Sequence, residues 1–202
     1  MCSGLTAVTL PDSLLNIGDS AFGGTGLSSI VVPDNVVSIE FGAFQNCSGL
    51  TNVSVGPGLA DLGDGAFFNC TNLISVYFKG NAPSQDSSWP DPFQGDLDAI
   101  VYYLPGTGGW GQTFSGRPTS PWTLALPIIL SSSVSPGNQT SGFGFTISWG
   151  SNQPVVVEAS TDLSNPSWLS VSTNRLTNGS AYFSDPAWTN YPSRFYRLVP
   201  RP

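Results

Sequence analysis

CSGLTAVTLPDSLLNIGDSAF (2–22), GLSSIVVPDNVVSIEFGAF (26–44), CSGLTNVSVGPGLADLGDGAF (47–67) and CTNLISVYFKG (70–80) lie over one another with a period of 22 to 23 residues. Leu5, Leu27, Leu50 and Leu73 form one column, Val8, Ile30, Val53 and Val76 a second, and Leu10, Val32, Val55 and Phe78 a third. Ile17, Ile39 and Leu62 follow, and then Ala-Phe pairs ending at Phe22, Phe44 and Phe67. A unit this short has one apolar side and cannot bury it alone. Units therefore stack, each adding a short strand to a parallel sheet, at about 4.8 Å spacing, and giving its Leu and Phe to a continuous core. Pro11-Asp12, Pro33-Asp34 and Gly56-Pro57 end successive strands and turn the chain.

The phrase C-x-x-L-x-x-V-x-L-P followed by I-G-x-x-A-F resembles the BspA-type leucine-rich repeats of bacterial surface and secreted proteins. The resemblance runs from residue 2 to about 118 and takes in AIVYYL (99–104), Pro105-Gly106 and GWGQTFSG (109–116), which look like the closing segment of such arrays. Matching Leu104-Pro105 to Leu10-Pro11 makes 99–104 a fifth strand after an insertion over 81–98. The resemblance implies a leucine-rich-repeat solenoid that recognises a protein or a surface, often in adhesion, and it implies no reaction.

Composition agrees with a mainly β chain. Gly (23) and Pro (17) make up about a fifth of the residues and charged residues only 9%, which suits short strands and turns. The net charge of -7 arises from having only six basic residues, scattered from Lys79 to Arg201, so no basic patch exists for nucleic acid or anionic lipid. The longest apolar run, WTLALPIIL (122–130), is broken by Pro127 and is far short of the roughly 20 residues that span a bilayer, so no membrane insertion is expected. CSGLTAV after Met1 has neither a basic start nor a long apolar core, so no leader is visible. Low charge and many Ser, Thr and Asn nonetheless match exported bacterial proteins, and the expected location is extracellular or at the cell surface.

After Trp122 the period stops. The reading divides the chain into a repeat domain with its closing segment (1–118), a linker (119–142, with SSSVSPGNQTSG at 131–142) and a small antiparallel β-sandwich (143–202). FGFTISW (143–149), PVVVEAS (154–160), WLSVST (168–173), SAYFSD (180–185) and RFYRLV (194–199) alternate apolar and polar residues between turn-forming Asn, Gly and Pro. VVVEASTDLSNPSWLSVSTN (155–174) and YFSDPAWTNYPSRFYRLVP (182–200) resemble a fibronectin-III-like or immunoglobulin-like module appended to exported proteins of environmental bacteria. That module brings no activity with it.

The absence of histidine removes the commonest general base and metal ligand. Cys47 and Cys70 occupy one repeat column, with Gly24 assigned to the same place in the second repeat, and read as small buried packing residues rather than nucleophiles. Asp61 and Asp64 sit at a repeat corner, while Asp86, Asp91, Asp96 and Asp98 lie in the insertion. An unusual carboxylate hydrolase would need a fixed pair among them, and nothing fixes one. Asp96-x-Asp98 alone lacks the further oxygens of a calcium loop. No catalytic residue, metal or cofactor is expected. The N-x-S/T sequons at Asn46, Asn52, Asn69, Asn138 and Asn178 read as Asn-rich turns.

With Leu5, Val8 and Leu10 inward, strand alternation sends two columns outward. One is Ala7, Ser29, Asn52, Ser75 and Val101; the other is Thr9, Val31, Ser54, Tyr77 and Tyr103. Thr9, Val31, Asn52, Ser54, Ser75, Tyr77 and Tyr103 are the candidate contact residues for a protein or polysaccharide ligand. Tyr77 and Tyr103 are expected side by side as an aromatic pair. Because the chain starts inside a repeat at Cys2, the first strand is expected to lack a cover, which leaves a second reading of structural self-assembly through that repeat.

Overall fold

A computed structural model describes residues 2–85, 90–130, 143–150 and 153–201. Two compact units partition the chain, the first Met1–Tyr103 with Thr107–Trp122 and the second Leu104–Gly106 with Thr123–Pro202.

The first unit is built from β1 (Asn16–Ile17), β2 (Ser29–Val32), β3 (Ser38–Ile39), β4 (Asn52–Val55), β5 (Asp61–Leu62), β6 (Ser75–Phe78), β7 (Ser84–Gln85), β8 (Ile100–Tyr103), β9 (Thr113–Phe114) and β10 (Arg117–Pro121). The second, third and fourth repeats each contribute one strand to each of two sheets, and the first contributes β1 alone. The short strands form a four-stranded parallel sheet, β1-β3-β5-β7. The longer ones form a six-stranded sheet, β2-β4-β6-β8-β10-β9, parallel except where β9 closes antiparallel on β10. Ile30, Val53 and Val76 are buried in register on neighbouring strands, and Val32, Val55 and Phe78 likewise.

Phe22, Phe44 and Phe67 stack face to face at 5.3 and 5.2 Å, and Phe93 continues the stack at 5.4 Å. This corrects the insertion expected over 81–98. Pro92-Phe93 is the fourth member of the Ala-Phe column, β7 pairs with β5, and Phe67 and Asn69 donate backbone N–H groups to Pro92 and Gln94. The segment is the second half of the fourth repeat, lengthened: 26 residues separate Phe67 from Phe93, against 22 and 23 for the earlier intervals.

That length change shifts the fifth strand by one residue from the expected register. Val101, expected outward, is fully buried beside Val76, and Tyr102 lies opposite Tyr77, with Tyr103 opposite Phe78. A strand alternates with period two, so a one-residue slip exchanges its faces. The Leu104-Pro105 match to Leu10-Pro11 is what misplaced the register.

The second unit has β11 (Ile128–Leu130), β12 (Phe143–Ser148), β13 (Val155–Ser160), β14 (Leu169–Asn174), β15 (Ser180–Asp185) and β16 (Phe195–Pro200), with a 3-10 turn at Trp188–Asn190. They form two antiparallel sheets of three strands, β11-β12-β15 and β14-β13-β16. Phe145, Ile147 and Phe183 from the first sheet share a buried cluster with Val155 and Val157 from the second, so the two sheets share one core. The stretch expected as a linker over 119–142 carries strand at both ends of its described part: residues 119–121 belong to β10 and 128–130 to β11, while 131–142 lie outside the described residues. No helix among the described residues is long and apolar enough to cross a membrane.

Candidate binding surface

The outward face of the six-stranded sheet carries two columns. Ser29, Asn52, Ser75 and Ile100 lie in register across β2, β4, β6 and β8, as do Val31, Ser54, Tyr77 and Tyr102. Val31 is 64% exposed, and Ser54, Tyr77 and Tyr102 are half-buried. Ser75, expected on the surface, is buried. Thr9 and Asn52 are exposed, although residues 6–10 form no strand.

The aromatic pair exists with a different partner from the one expected. Tyr77 and Tyr102 stack at 4.9 Å with an interplanar angle of 16°, and Trp122, just past β10, tilts onto Tyr77 at 4.9 Å. Tyr103 instead stacks on Trp110 at 5.4 Å, beside the Phe78 contact of that same indole. The surface thus presents three clustered aromatic side chains at its β8 end and small polar or aliphatic ones toward β2. Rigid strands hold these rings in place, so little side-chain freedom remains to be lost on contact.

Beneath this face runs a feature missed in the sequence. Thr25, Cys47, Cys70 and Asp96 each sit three residues after a stacked phenylalanine, and each donates its backbone N–H to that ring's own carbonyl. Thr25, not Gly24, is therefore the second-repeat member of the cysteine column. The Thr25 hydroxyl donates to the Phe22 carbonyl at 2.8 Å, and the Cys47 and Cys70 thiols donate to the Phe22 and Phe44 carbonyls at 3.0 and 3.1 Å. Thr25 Oγ1 lies 3.3 Å from Cys47 Sγ. The residue before each rung has left-handed backbone: Gly24 (φ 65), Asn46 (φ 59), Asn69 (φ 59) and Gly95 (φ 94). Only Gly and, next, Asn adopt that region readily, which explains the asparagines of two sequons as backbone choices. Asn69 also donates its side-chain amide to Asn46 at 2.9 Å.

Asp96 ends this ladder. Its side chain is fully buried, and no hydrogen bond of ordinary geometry reaches either carboxyl oxygen. Burial pushes its carboxyl up to about 7, against smaller lowering effects of the Cys70 backbone N–H and the Arg117 charge. The Arg117 guanidinium donates to the Asp96 backbone carbonyl at 3.0 Å. The hydrogen bond with Cys47, then burial and the nearby Asp96, push the Cys70 thiol far above its ordinary range. Neither group faces solvent, so the ladder is architecture rather than an active site.

Asp98 is exposed whereas Asp96 is buried, so the two do not share a surface as calcium ligands would. Among the described residues no group of three or more Cys, Asp or Glu comes together to hold a metal. Asp61 accepts from the Ser84 hydroxyl between repeats, a structural role. In the second unit, Phe143, Trp168 and Phe195 line a cleft of about 530 Å³ whose one cation, Arg194, is held by Asp185 at 3.1 Å.

No curated protein matches the chain in sequence. A leucine-rich repeat protein of known structure from Bacteroides capillosus ATCC 29799 is 30% identical, with a TM-score of 0.39, over 45% of this chain and 63% of its own length. This chain therefore spans less than two thirds of that protein. Residues 1–88 match the family described as BspA type leucine rich repeat region, in six copies. By sequence, that region is similar to the BspA-type leucine-rich repeats.

Proposed function

We propose that the chain is a non-enzymatic binding module of a secreted or surface-exposed bacterial protein, recognising a protein or polysaccharide through the outward face of the six-stranded sheet. The observation that carries this reading is the clustering of Tyr77 and Tyr102 on neighbouring strands with Trp122 just past β10, all half-exposed. Aromatic side chains on rigid supports supply contact area at low entropic cost and dominate many recognition surfaces. The repeat family over residues 1–88 supports a binding or structural module, and the chemistry of the face offers no nucleophile, general base or metal set. We read the second unit as a fibronectin-III-like or immunoglobulin-like module that spaces or attaches the repeat domain.

The test is an array of purified extracellular proteins and polysaccharides probed with the full chain and with the double variant Tyr77→Ala/Tyr102→Ala. At least one ligand should be bound by the parent and lost by about tenfold or more in the variant, with thermal melting lowered by no more than a few degrees. A folded parent that binds nothing on the array, or a variant that binds as well as the parent, overturns the reading.

A further inference from the structure

The first repeat is tied to the second on one side and parted from it on the other. On the β1 side the backbone bonds are continuous: Val37 to Leu15, Glu40 to Ile17, Phe22 to Ala43 and Gly24 to Gln45 all link the two repeats. On the β2 side, among the described residues, no backbone hydrogen bond joins residues 6–10 to residues 28–32. Interior repeats make these bonds, as in Thr51 N–H to Ser28 O and Ile74 N–H to Thr51 O. The two segments are nonetheless held together at both ends. A side chain at Gly26 would meet the Ser3 carbonyl at 2.4 Å, and the Asn35 side chain donates to the Asp12 carbonyl at 2.9 Å. Between these ties lies a groove of about 710 Å³, walled by Ala7 and Thr9 on one side and Ser29 and Val31 on the other.

The direction of the β2 backbone follows from its bonds to β4. The carbonyls of Ser28 and Val32 accept from Thr51 and Gly56, so even-numbered residues face β4. Ser29 and Val31 therefore turn their N–H and C=O groups into the groove, at the spacing of a parallel ladder. Water can solvate such groups, but a row of alternating donors and acceptors at strand spacing is matched along its length by another polypeptide backbone. The groove walls are small side chains, which leaves room for those of an incoming strand. Asp12 and Asp34 stand at the end where both walls run out, with Lys79 paired to Asp34 at 3.1 Å, which leaves that end acidic.

We propose that this groove is a strand-acceptor site: it takes an extended segment of a partner protein, inserted parallel to β2 between residues 6–10 and 29–31, with a basic residue near its C-terminal end beside Asp12. The net charge of -7 disfavours a second copy of this chain as the occupant. The site is distinct from the aromatic cluster, and one can fail without the other.

The experiment selects binders to the full chain from a displayed library of random peptides of about ten residues, long enough for one strand. Amide hydrogen exchange is then followed with and without a selected peptide, for the parent, for Val31→Pro and for Tyr77→Ala/Tyr102→Ala. Proline removes the groove-facing N–H of Val31 but no bond to β4, so the fold is kept. In the free parent, the Ser29 and Val31 amides should exchange freely while those of β4 are protected. Selected peptides should carry alternating β-branched residues and a C-terminal Lys or Arg. They should protect Ser29 and Val31, bind the tyrosine variant as well as the parent, and lose about tenfold or more in affinity to Val31→Pro. Protection of Ser29 and Val31 without peptide would mean that residues 6–10 close the groove themselves, and would overturn the proposal. So would an empty selection, or binders that protect only the Tyr77 face. Concentration-dependent dimers abolished by Val31→Pro would overturn the choice of a foreign segment in favour of a second copy.

Discussion

Two ladders run side by side through the repeat core, three residues apart in sequence, and they end differently. The aromatic one, Phe22-Phe44-Phe67-Phe93, repeats one contact at 5.2 to 5.4 Å and can stop anywhere, because its last ring, Phe93, is covered by Phe114 at 6.3 Å. The polar one, Thr25-Cys47-Cys70-Asp96, depends on side-chain donors to the phenylalanine carbonyls: Thr25 donates to Phe22 in its own repeat, and Cys47 and Cys70 donate to the carbonyl of the repeat before. An ionised Asp96 has no proton to donate, and no hydrogen bond of ordinary geometry reaches its oxygens. Dispersion and burial are non-directional and tolerate any end, whereas a hydrogen-bonded column must be satisfied at its last rung.

The largest effect should come from the aromatic ladder. Phe67→Ala removes the ring that touches both Phe44 and Phe93, and should cost about 3–5 kcal/mol in denaturant unfolding. A loss under about 1 kcal/mol would mean that the rings are not the stacked core described above.

The next effect is specific to the end of the polar ladder and has a defined sign. Asp96 holds its proton to about pH 7 when folded, against 3.8 for a carboxyl free in water. Between those values the unfolded chain binds fewer protons than the folded one, so this group lowers stability as pH rises from about 4 to 7, and the loss then levels off. Its size is on the order of 4 kcal/mol from a shift of this extent. Asp96→Asn, whose amide can donate where the carboxylate cannot, should abolish that slope and be the more stable protein at pH 8. Parallel pH profiles of parent and Asp96→Asn would refute the ladder as drawn.

A smaller effect distinguishes rungs that donate from rungs that only fill space. Cys70→Ala leaves a cavity and takes the donor from the Phe44 carbonyl, at a cost of about 1–2 kcal/mol. Cys70→Thr should cost less, because it fills the space and keeps a donor in the column, as Thr25 does toward the carbonyl three residues before it. Equal losses in the two variants would reduce the column to packing alone, which was the sequence expectation for the cysteines.

The aromatic ladder was legible in the sequence because each rung repeats the same residue at the same interval. Three of its four rings follow directly from the period, and the fourth was hidden only by the longer interval before Phe93. The polar ladder was not legible as such, because thiol, hydroxyl and carboxyl do not align as letters. Its signal lay one residue earlier, in the Gly or Asn of Gly24, Asn46, Asn69 and Gly95, which mark the same left-handed turn in every repeat. The second unit has no period to read. Five of its six strands were visible as alternation, but β11 was hidden in an apparent linker, and nothing in the pattern announced the pairing of β11 with β12. The parted edge of β2 was equally silent, since residues 6–10 carry the same phrase as the strands that do pair.

The least costly change is also the one that tests the register on which the candidate surface depends. Tyr102 extends the stacking principle to the outside of the sheet, where one ring leans on Tyr77 and remains half-exposed. An aromatic pair contributes about 0.5–1.5 kcal/mol, and partial exposure puts Tyr102→Ala at the bottom of that range or below. Tyr103 lies opposite Phe78 in register and stacks on Trp110, which itself packs on Phe78 and Phe114, so Tyr103→Ala should cost more. Thermal melting of the two single variants decides between registers. If Tyr103→Ala is the silent one and Tyr102→Ala the destabilising one, β8 is turned over, and the outward aromatic partner of Tyr77 is the residue that the repeat phrase alone would choose.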